Sequence, residues 1–277
     1  MKRNVLFFFL ASIAISAVAQ PAKIATYNMR YDNVQDTVNA WAKRVPIIGQ
    51  VIQFHEIELF GAQELLDHQV KDVKKQLPMF DWIGVGRDDG QAKGEYAPIF
   101  YHADKFKVLD KGNFWLSETP DQPTKGWDAA LPRICSWGKF QDLKTKKVFF
   151  IFNTHFDHKG ELARINSAKL ILDKIKTIAG NQPVVLMGDF NFDQRHEGYQ
   201  TLQSSTLKDA FGLALFKLAN TSTFNGFDIR TAGDARIDHI LVSPQFKVSK
   251  YGILTDSYQG KLPSDHFPVT ISLSLSK

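Results

Sequence analysis

The stretch PVVLMGDFN, residues 183–191, decides how the rest of the chain is interpreted. Its apolar part, Val184 to Met187, has the β-branched character of a buried strand. Asp189 and Asn191 follow two positions apart, so their side chains share a face while the strand geometry persists. The segment therefore predicts a strand that delivers a carboxylate and an amide to one point at its end.

Five other segments place acidic, amide or imidazole side chains at the ends of predicted strands. They are IATYNMRY with Asn28, LFGAQELL with Glu64, FFIFNTHFDH with His155 and Asp157, RIDHILVS with Asp238 and His239, and LPSDHFPV with Asp265 and His266. Strand ends are where α/β proteins assemble sites from distant residues. One motif alone is weak evidence, because a strand-end Asn more often stabilises a turn and Asp-His pairs occur by chance. Six motifs in one chain indicate a single site.

Strand-like and helical segments alternate along the chain. Strands are predicted over residues 23–29, 80–84, 97–101, 134–142, 147–155, 183–190, 237–243 and 266–275. Apolar residues follow helical spacing over 45–59 and over 162–179, where Gly180 provides a C-terminal cap. Residues 144–147 are interpreted as a hairpin turn and 116–132 as a loop within one domain. This alternation favours sheets covered by helices over an all-β barrel.

The six motifs together resemble the endonuclease/exonuclease/phosphatase superfamily, which includes deoxyribonuclease I, and within it an exported bacterial group similar to the deadenylase-like exonucleases. The resemblance runs from about Ile24 to Leu275. It implies an α/β fold, a four-layer α/β/β/α sandwich in which two mixed or antiparallel sheets pack face to face with helices outside. It also implies a metal-dependent phosphoric ester hydrolase.

The same resemblance implies a role for each motif. Glu64 would be the principal ligand of Mg²⁺, for which Mn²⁺ could substitute, with Asn28 and Asp265 completing the shell; oxygen ligands suit this ion. Asp189 would orient or deprotonate the attacking water.

Asn191 would hold that water or donate to a phosphate oxygen, and His155 would donate to a phosphoryl oxygen. His266 would bind a non-bridging oxygen or act as the base, while Asp238 fixes its tautomer. These donors and the metal would balance the charge that builds up on the phosphoryl oxygens.

Arg133 has two interpretations that the sequence leaves open. It resembles an arginine that binds a substrate phosphate, for which a guanidinium is suited. It could equally be a surface arginine paired with Asp128 or Glu118. Asp157, His158 and His239 are interpreted as structural or rim residues.

The first 19 residues, MKRNVLFFFLASIAISAVA, have the charged start, short apolar run and small-residue end of a secretory signal peptide. We therefore expect an exported protein, periplasmic or extracellular, with one domain over residues 20–277. Its single cysteine, Cys135, allows no internal disulfide. The formal net charge of +5 permits an anionic substrate without specifying one.

A nucleic-acid or nucleotide phosphodiester is the first expectation for the substrate. The alternatives are a phospholipid diester, as in sphingomyelinases, and a sugar or inositol phosphate; a non-enzymatic phosphate-binding module is the outside case. Trp115, Trp127 and Trp137 could stack on a base, although core packing is favoured. We expect a monomer with no stable membrane insertion.

Overall fold

The computed structural model describes residues 21–275, so the predicted signal peptide lies outside the described residues. Two sheets form the centre of the molecule. The first sheet contains β1 (Ala22–Asn28), β2 (Leu59–Gln63), β3 (Phe80–Ile83), β4 (Ile99–His102), β10 (Phe216–Leu218), β12 (Phe246–Ile253) and β13 (Val269–Leu275). The second contains β5 (Phe106–Trp115), β6 (Ile134–Asp142), β7 (Val148–His155), β8 (Val184–Asp189), β9 (Lys208–Asp209) and β11 (Asp238–Val242).

The spatial order of the strands is β10-β12-β13-β1-β2-β4-β3 in the first sheet and β5-β6-β7-β8-β11-β9 in the second. Both sheets are mixed, since β1 pairs with β2 and β7 with β8 in parallel, while most other pairs are antiparallel. The helices are α1 (Trp41–Phe54), α2 (Asp67–Gln76), α3 (Glu161–Ala179), α4 (Glu197–Gln203) and α5 (Ala210–Leu213), with a short 3-10 helix over Val34–Asn39.

Strand β8 shows why the layers form. Val185 and Met187 point into the core between the sheets, whereas Val184 and Leu186 point outward against α3. A strand covered on both faces is apolar at every position, which explains its unbroken hydrophobic run. On the other side, α1 and α2 cover β1 and β2 through residues such as Ile48, Ile52, Phe60 and Val73. The four-layer α/β/β/α sandwich is thus confirmed.

The structure corrects the sequence-based prediction at several secondary-structure elements. The last predicted strand begins at Val269 rather than His266, because Pro268 has no N–H for a strand ladder and Asp265 and His266 lie in the preceding loop. The sequence missed β5 and β12, whose exposed faces carry charged residues, and α2, which buries few side chains. The hairpin turn over 144–147 is confirmed between β6 and β7. No helix within residues 21–275 has the length and apolar character needed to cross a bilayer.

Candidate active site

The strand pairings bring the predicted motifs to one edge of the sandwich. In the second sheet His155 lies beside Asp189 in the parallel β7–β8 pair, and Asp189 lies opposite Asp238 in the antiparallel β8–β11 pair. In the first sheet Asn28, the last residue of β1, lies beside Gln63, the last residue of β2, and Glu64 follows directly after Gln63. Because the two sheets are stacked, these ends face each other across the opening between them.

Unusual backbone conformations aim the key side chains. Glu64 and Asn191 have φ values of 67° and 51°, in the left-handed region that L residues rarely occupy. Gly188 has φ 153°, and a Cβ at this position would lie 2.0 Å from the carbonyl oxygen of Thr154. Strained positions of this kind cluster at functional sites, where the surrounding fold holds them in place.

The side chain of Asn28 joins the two sheets. Its amide donates to Glu64 Oε1 at 3.0 Å and to Asp189 Oδ2 at 2.9 Å. Glu64 also accepts from the Tyr31 backbone N–H at 3.1 Å. Asp265 lies at the same opening, where Arg30 Nη1 is 3.7 Å from its carboxylate. Three carboxylates therefore converge around one buried amide.

His266 lies between two carboxylates. Its Nδ1 is 2.9 Å from Asp238 Oδ2, and its Nε2 is 3.7 Å from Asp189 Oδ2. Burial lowers the pKa of His266, but the charges of Asp238 and Asp189 outweigh burial, so its pKa lies well above the usual value. Burial, with the nearby Asp238 charge, raises the pKa of Asp189 to about 7. His266 is therefore the protonated partner at neutral pH.

His155 contacts the second polar residue of the 183–191 stretch. The Asn191 amide donates to His155 Nε2 at 2.9 Å and to the Phe156 carbonyl at 3.0 Å. Burial and the charges of Arg133 and Arg87 hold the pKa of His155 well below its usual value, so it is neutral. Its Nε2 accepts in this arrangement, and a substrate oxygen would have to replace the Asn191 contact for His155 to donate there.

Arg133 is buried, with 4% of its side chain exposed, so its interpretation as a surface arginine is wrong. It pairs with Asp157 through Nε at 3.3 Å and contacts His158 Nδ1 at 2.9 Å through Nη2. The two partners that the sequence suggested for Arg133 form hydrogen bonds elsewhere. Asp128 accepts from backbone N–H groups in the first turn of α3, and Glu118 accepts from the Trp127 backbone N–H. The buried Nη1 of Arg133 has no hydrogen-bond partner among the described residues.

His239, Trp115 and Trp137 lie in the packing of the fold, whereas Trp127 is only partly buried. His239 is fully buried and lies against the rings of Phe190 and Tyr199. Trp115 is buried, and its indole N–H donates to the Arg87 carbonyl at 2.6 Å. Trp137 packs on Phe150 and Phe152, and none of the three tryptophans lines the cleft described next.

A cleft of about 540 Å³ is lined by Glu64, Arg133, His155, His158, Asp189, Asn191, Asp265 and His266. Sequence reasoning missed several of its lining residues: Arg30, Tyr31, Glu95, Phe224 and, behind the wall, Arg87. Arg87 forms a two-pronged pair with Glu95 at 2.6 and 3.0 Å, and Glu95 Oε2 lies 3.9 Å from His155 Nδ1. Both charged residues lie in one Gly-rich loop, but the loop composition alone does not show that their charges are buried.

The residues present fit a divalent cation. Burial raises the pKa of Asp265, and the nearby Glu64 charge adds to this effect, so negative charge is only partly compensated at this corner. A hard cation held by Glu64 and Asp265 would relieve that repulsion. Asn28, which the resemblance gave as a further ligand, turns its NH₂ group toward Glu64, and its oxygen accepts from the Arg30 backbone N–H at 3.0 Å, so it would orient Glu64 rather than bind the ion. Asp189, Asp238 and His266 also lie close enough to hold an ion, within 4.8 Å of one another. We assign the ion to the first group because Asp238 is bonded to His266 and Mg²⁺ prefers oxygen ligands.

Comparisons with known proteins agree with this geometry. The profile described as "Endonuclease/Exonuclease/phosphatase family" matches residues 25–266. A Bacteroides thetaiotaomicron structure titled mannosyl-6-phosphatase is 47% identical, covers 92% of this chain and 100% of that chain, and has a TM-score of 0.90. A family protein from Bacteroides vulgatus is 43% identical over 92% and 99% of the two chains, with a TM-score of 0.88.

A more distant structure, the human Nocturnin catalytic domain, shares the fold alone, at 17% identity, with a TM-score of 0.73 and coverage of 93% and 94% of the two chains. The family profile spans nearly the whole described chain, from β1 to the loop that carries His266. The chain therefore belongs to the endonuclease/exonuclease/phosphatase family, whose members are phosphoric ester hydrolases.

Proposed function

We propose that this protein is a Mg²⁺-dependent phosphatase that hydrolyses the monoester of a small sugar phosphate. The single observation that carries the hydrolytic proposal is the placement of Asp189, which contacts the Asn28 amide on one side and lies 3.7 Å from His266 on the other. A water at this point would have a proton acceptor beside it and a cationic donor within reach of the phosphoryl group.

In the proposed reaction, the water oxygen forms a bond to phosphorus while the bond from phosphorus to the sugar oxygen breaks, and the leaving sugar oxygen takes up a proton from solvent water at the open side of the cleft. Asp189 accepts the proton of the water, because its raised pKa makes it a suitable base near neutral pH. His266, already protonated, donates to a phosphoryl oxygen and cannot also be the base. Asp238 holds the His266 ring in orientation. Asp189 is therefore favoured over His266 as the general base, a role for which the family resemblance allowed either residue.

The metal would be held by Glu64 and Asp265, with Asn28 orienting Glu64 through its NH₂ group. When bound, it would supply charge stabilisation to the phosphoryl oxygens and the leaving oxygen. Arg133 would add a fixed cation, since its buried Nη1 lacks a partner among the described residues and the residue lines the cleft. Asn191 would help to orient the water or a phosphoryl oxygen.

Three observations support a sugar phosphate. The cleft volume of about 540 Å³ suits a small molecule. The relative described as a mannosyl-6-phosphatase is 47% identical to this chain, and the comparison covers 100% of that relative's chain. A terminal monoester also presents three non-bridging oxygens, one more than a diester, and several donors line the cleft, among them Arg30, Arg133 and His266.

A nucleic-acid or nucleotide diester, the first expectation from the sequence, remains the second candidate. The cleft is open on one side, and exposed apolar residues at its mouth, Phe224 and Leu131, could contact a base. Export through the predicted signal peptide is part of the same proposal, as is a single domain over residues 20–277.

A substrate panel tests the proposal. Phosphate release from hexose 6-phosphates is compared with hydrolysis of 5′-nucleotides, RNA and bis-p-nitrophenyl phosphate, each with Mg²⁺, Mn²⁺ or EDTA. We expect kcat/KM for a hexose 6-phosphate to exceed that for the diesters by about 100-fold or more, and EDTA to abolish turnover. Faster hydrolysis of RNA or the diester would overturn the sugar-phosphate assignment, and full activity in EDTA would overturn the metal assignment.

Matched variants separate chemistry from folding in this panel. Asp189→Asn removes the proposed base, whereas Asp193→Asn changes a carboxylate in the same loop that pairs with Arg195 at the surface. We expect the first to lose at least about 1000-fold in kcat and the second to behave as wild type.

A further inference from the structure

His158 lies at the rim of the cleft, outside the groups that would bind the phosphoryl centre. The exposed fraction of the side chain rises from 2% for Asp189 and 5% for His266 to 10% for His155 and 43% for His158. The deepest groups are those assigned to the phosphoryl centre. The ester's leaving group must then extend toward the rim, and His158 is one of the cleft-lining residues exposed there.

The contact with Arg133 sets the tautomer of His158. Arg133 Nη2 lies 2.9 Å from His158 Nδ1, and a guanidinium can only donate. The facing ring nitrogen must therefore accept, and the opposite nitrogen of a neutral ring must carry the proton. This holds whichever ring nitrogen faces Arg133. The Asp157 carboxylate lies 3.9 Å from Nδ1, too far to compete by a hydrogen bond.

The surroundings also keep the ring neutral. Burial lowers the pKa of His158, and the charges of Arg133, Lys159 and Arg87 lower it further, against the opposing charge of Asp157. Within residues 21–275 the ring nitrogen opposite Arg133 has no hydrogen-bond partner, although His158 lines the cleft. His158 thus presents one uncharged N–H donor, held in a fixed tautomer by a buried arginine.

We infer that His158 is a specificity-determining residue that donates this N–H to a hydroxyl of the leaving sugar. The inference rests on the proposed function and extends it to the recognition of the alcohol half of the substrate. A single neutral donor at a half-exposed rim suits a hydroxyl, whereas the phosphoryl oxygens are served by the charged donors deeper in the cleft. Arg133 acts here as a positioning residue for His158.

The test uses hexose 6-phosphates and their monodeoxy analogues. The wild-type protein will discriminate against one deoxy analogue by about 10-fold in kcat/KM, since a donor at an exposed rim can bond water instead. His158→Leu will lower kcat/KM for the parent sugar by the same factor and will lose the discrimination against that analogue. His158→Gln, which can accept from Arg133 and still donate, will restore at least half of the discrimination on a logarithmic scale.

His68→Leu is the matched control, because His68 is similarly exposed, with 53% of its side chain accessible, and pairs with Asp32 outside the residues that line the cleft. It is expected to leave both the rate and the discrimination unchanged. Thermal unfolding verifies that each variant is folded.

Two different failures can be told apart. If wild type hydrolyses sugar phosphates but His158→Leu discriminates among the deoxy analogues as wild type does, the role of His158 is overturned and the proposed function stands. If wild type prefers nucleic-acid diesters, the proposed function is overturned, and the sugar-binding role is overturned with it.

Discussion

Replacing Asp157 with Asn will destabilise the protein by about 3–5 kcal/mol at neutral pH. The carboxylate is buried, with 1% of its side chain exposed. Its Oδ1 accepts from three backbone N–H groups, those of Ala130 at 3.1 Å, Lys159 at 3.0 Å and Gly160 at 2.8 Å. Its Oδ2 accepts from the Leu131 N–H at 3.3 Å and from Arg133 Nε at 3.3 Å.

The expected loss of stability follows from the way the five hydrogen-bond donors are divided between the two oxygens of Asp157. An asparagine whose oxygen takes the Oδ1 position keeps the three backbone bonds, but its NH₂ group then faces the other two donors. An unsatisfied buried donor costs about 1–3 kcal/mol, and more when it is charged, as Arg133 is. Rotating the amide the other way leaves three donors unsatisfied. No orientation of the amide replaces the carboxylate.

The assay is denaturant unfolding of wild type and variant between pH 7 and pH 3. Hydrogen bonds from the Gly160, Ala130 and Lys159 backbone and the charge of Arg133 outweigh burial, so the pKa of Asp157 is lowered from its usual 3.8. A carboxyl group with a depressed pKa stabilises the folded state fully above its unfolded pKa, and this contribution is lost as the pH falls through the folded value. The difference in unfolding free energy between the two proteins should stay constant from pH 7 to about pH 5 and shrink below about pH 4.

Asp128→Asn is the control, because this exposed carboxylate in the 116–132 loop, which Asp157 contacts, accepts from the backbone of Leu162 and Ala163 at the start of α3. Its loss should cost only about 1 kcal/mol. A cost below about 1 kcal/mol for Asp157→Asn, or a difference that grows as the pH falls, would refute the reasoning.

Three further predictions concern the site itself. Asp189→Asn and His266→Ala should each lower kcat by about 1000-fold or more while the far-ultraviolet circular dichroism stays native; substantial turnover in both would contradict their roles. Glu64→Gln should weaken Mn²⁺ binding, measured by electron paramagnetic resonance, by about 10-fold or more, and unchanged affinity would remove Glu64 from the metal shell. Gly188→Ala should destabilise the fold by about 3 kcal/mol or more in urea unfolding, because its Cβ would clash with the Thr154 carbonyl; wild-type stability would refute this.

The proposed site divides into a phosphoryl end and a leaving-group end. Asn28, Glu64, Asp189 and His266 come from both sheets and meet at the depth of the cleft. Arg133 and His158 come from the start of β6 and the loop after β7, and Asp157 binds both this arginine and the 116–132 loop. In the proposed reaction, chemistry and specificity would therefore depend on different elements of the fold.

The sequence by itself determined the strands that carry the site and the side chains at their ends. Strand β6 was predicted over its observed range, and β7 and β8 to within one residue of each of their observed ends. β7 and β8 are covered on both faces and carry near-continuous apolar runs, whereas β6 includes polar residues and was recognised from its β-branched and aromatic residues. Helix α3 and its end at Gly180 followed from helical spacing and the glycine cap. These signals are local, so one chain suffices to find them.

Only the tertiary structure decided which charges are paired and buried. Arg133 could not be matched to Asp157 from the sequence, since Asp128 and Glu118 were equally plausible partners. The Arg87–Glu95 pair and the contact of His158 with Arg133 could likewise not be predicted from the sequence. Pairing between charged side chains follows no periodic pattern along the chain, because it depends on how loops from separate strands are brought together when the sheets stack. For this reason the strand ends that meet at the cleft could be predicted from the sequence, whereas the charged pairs around them could not.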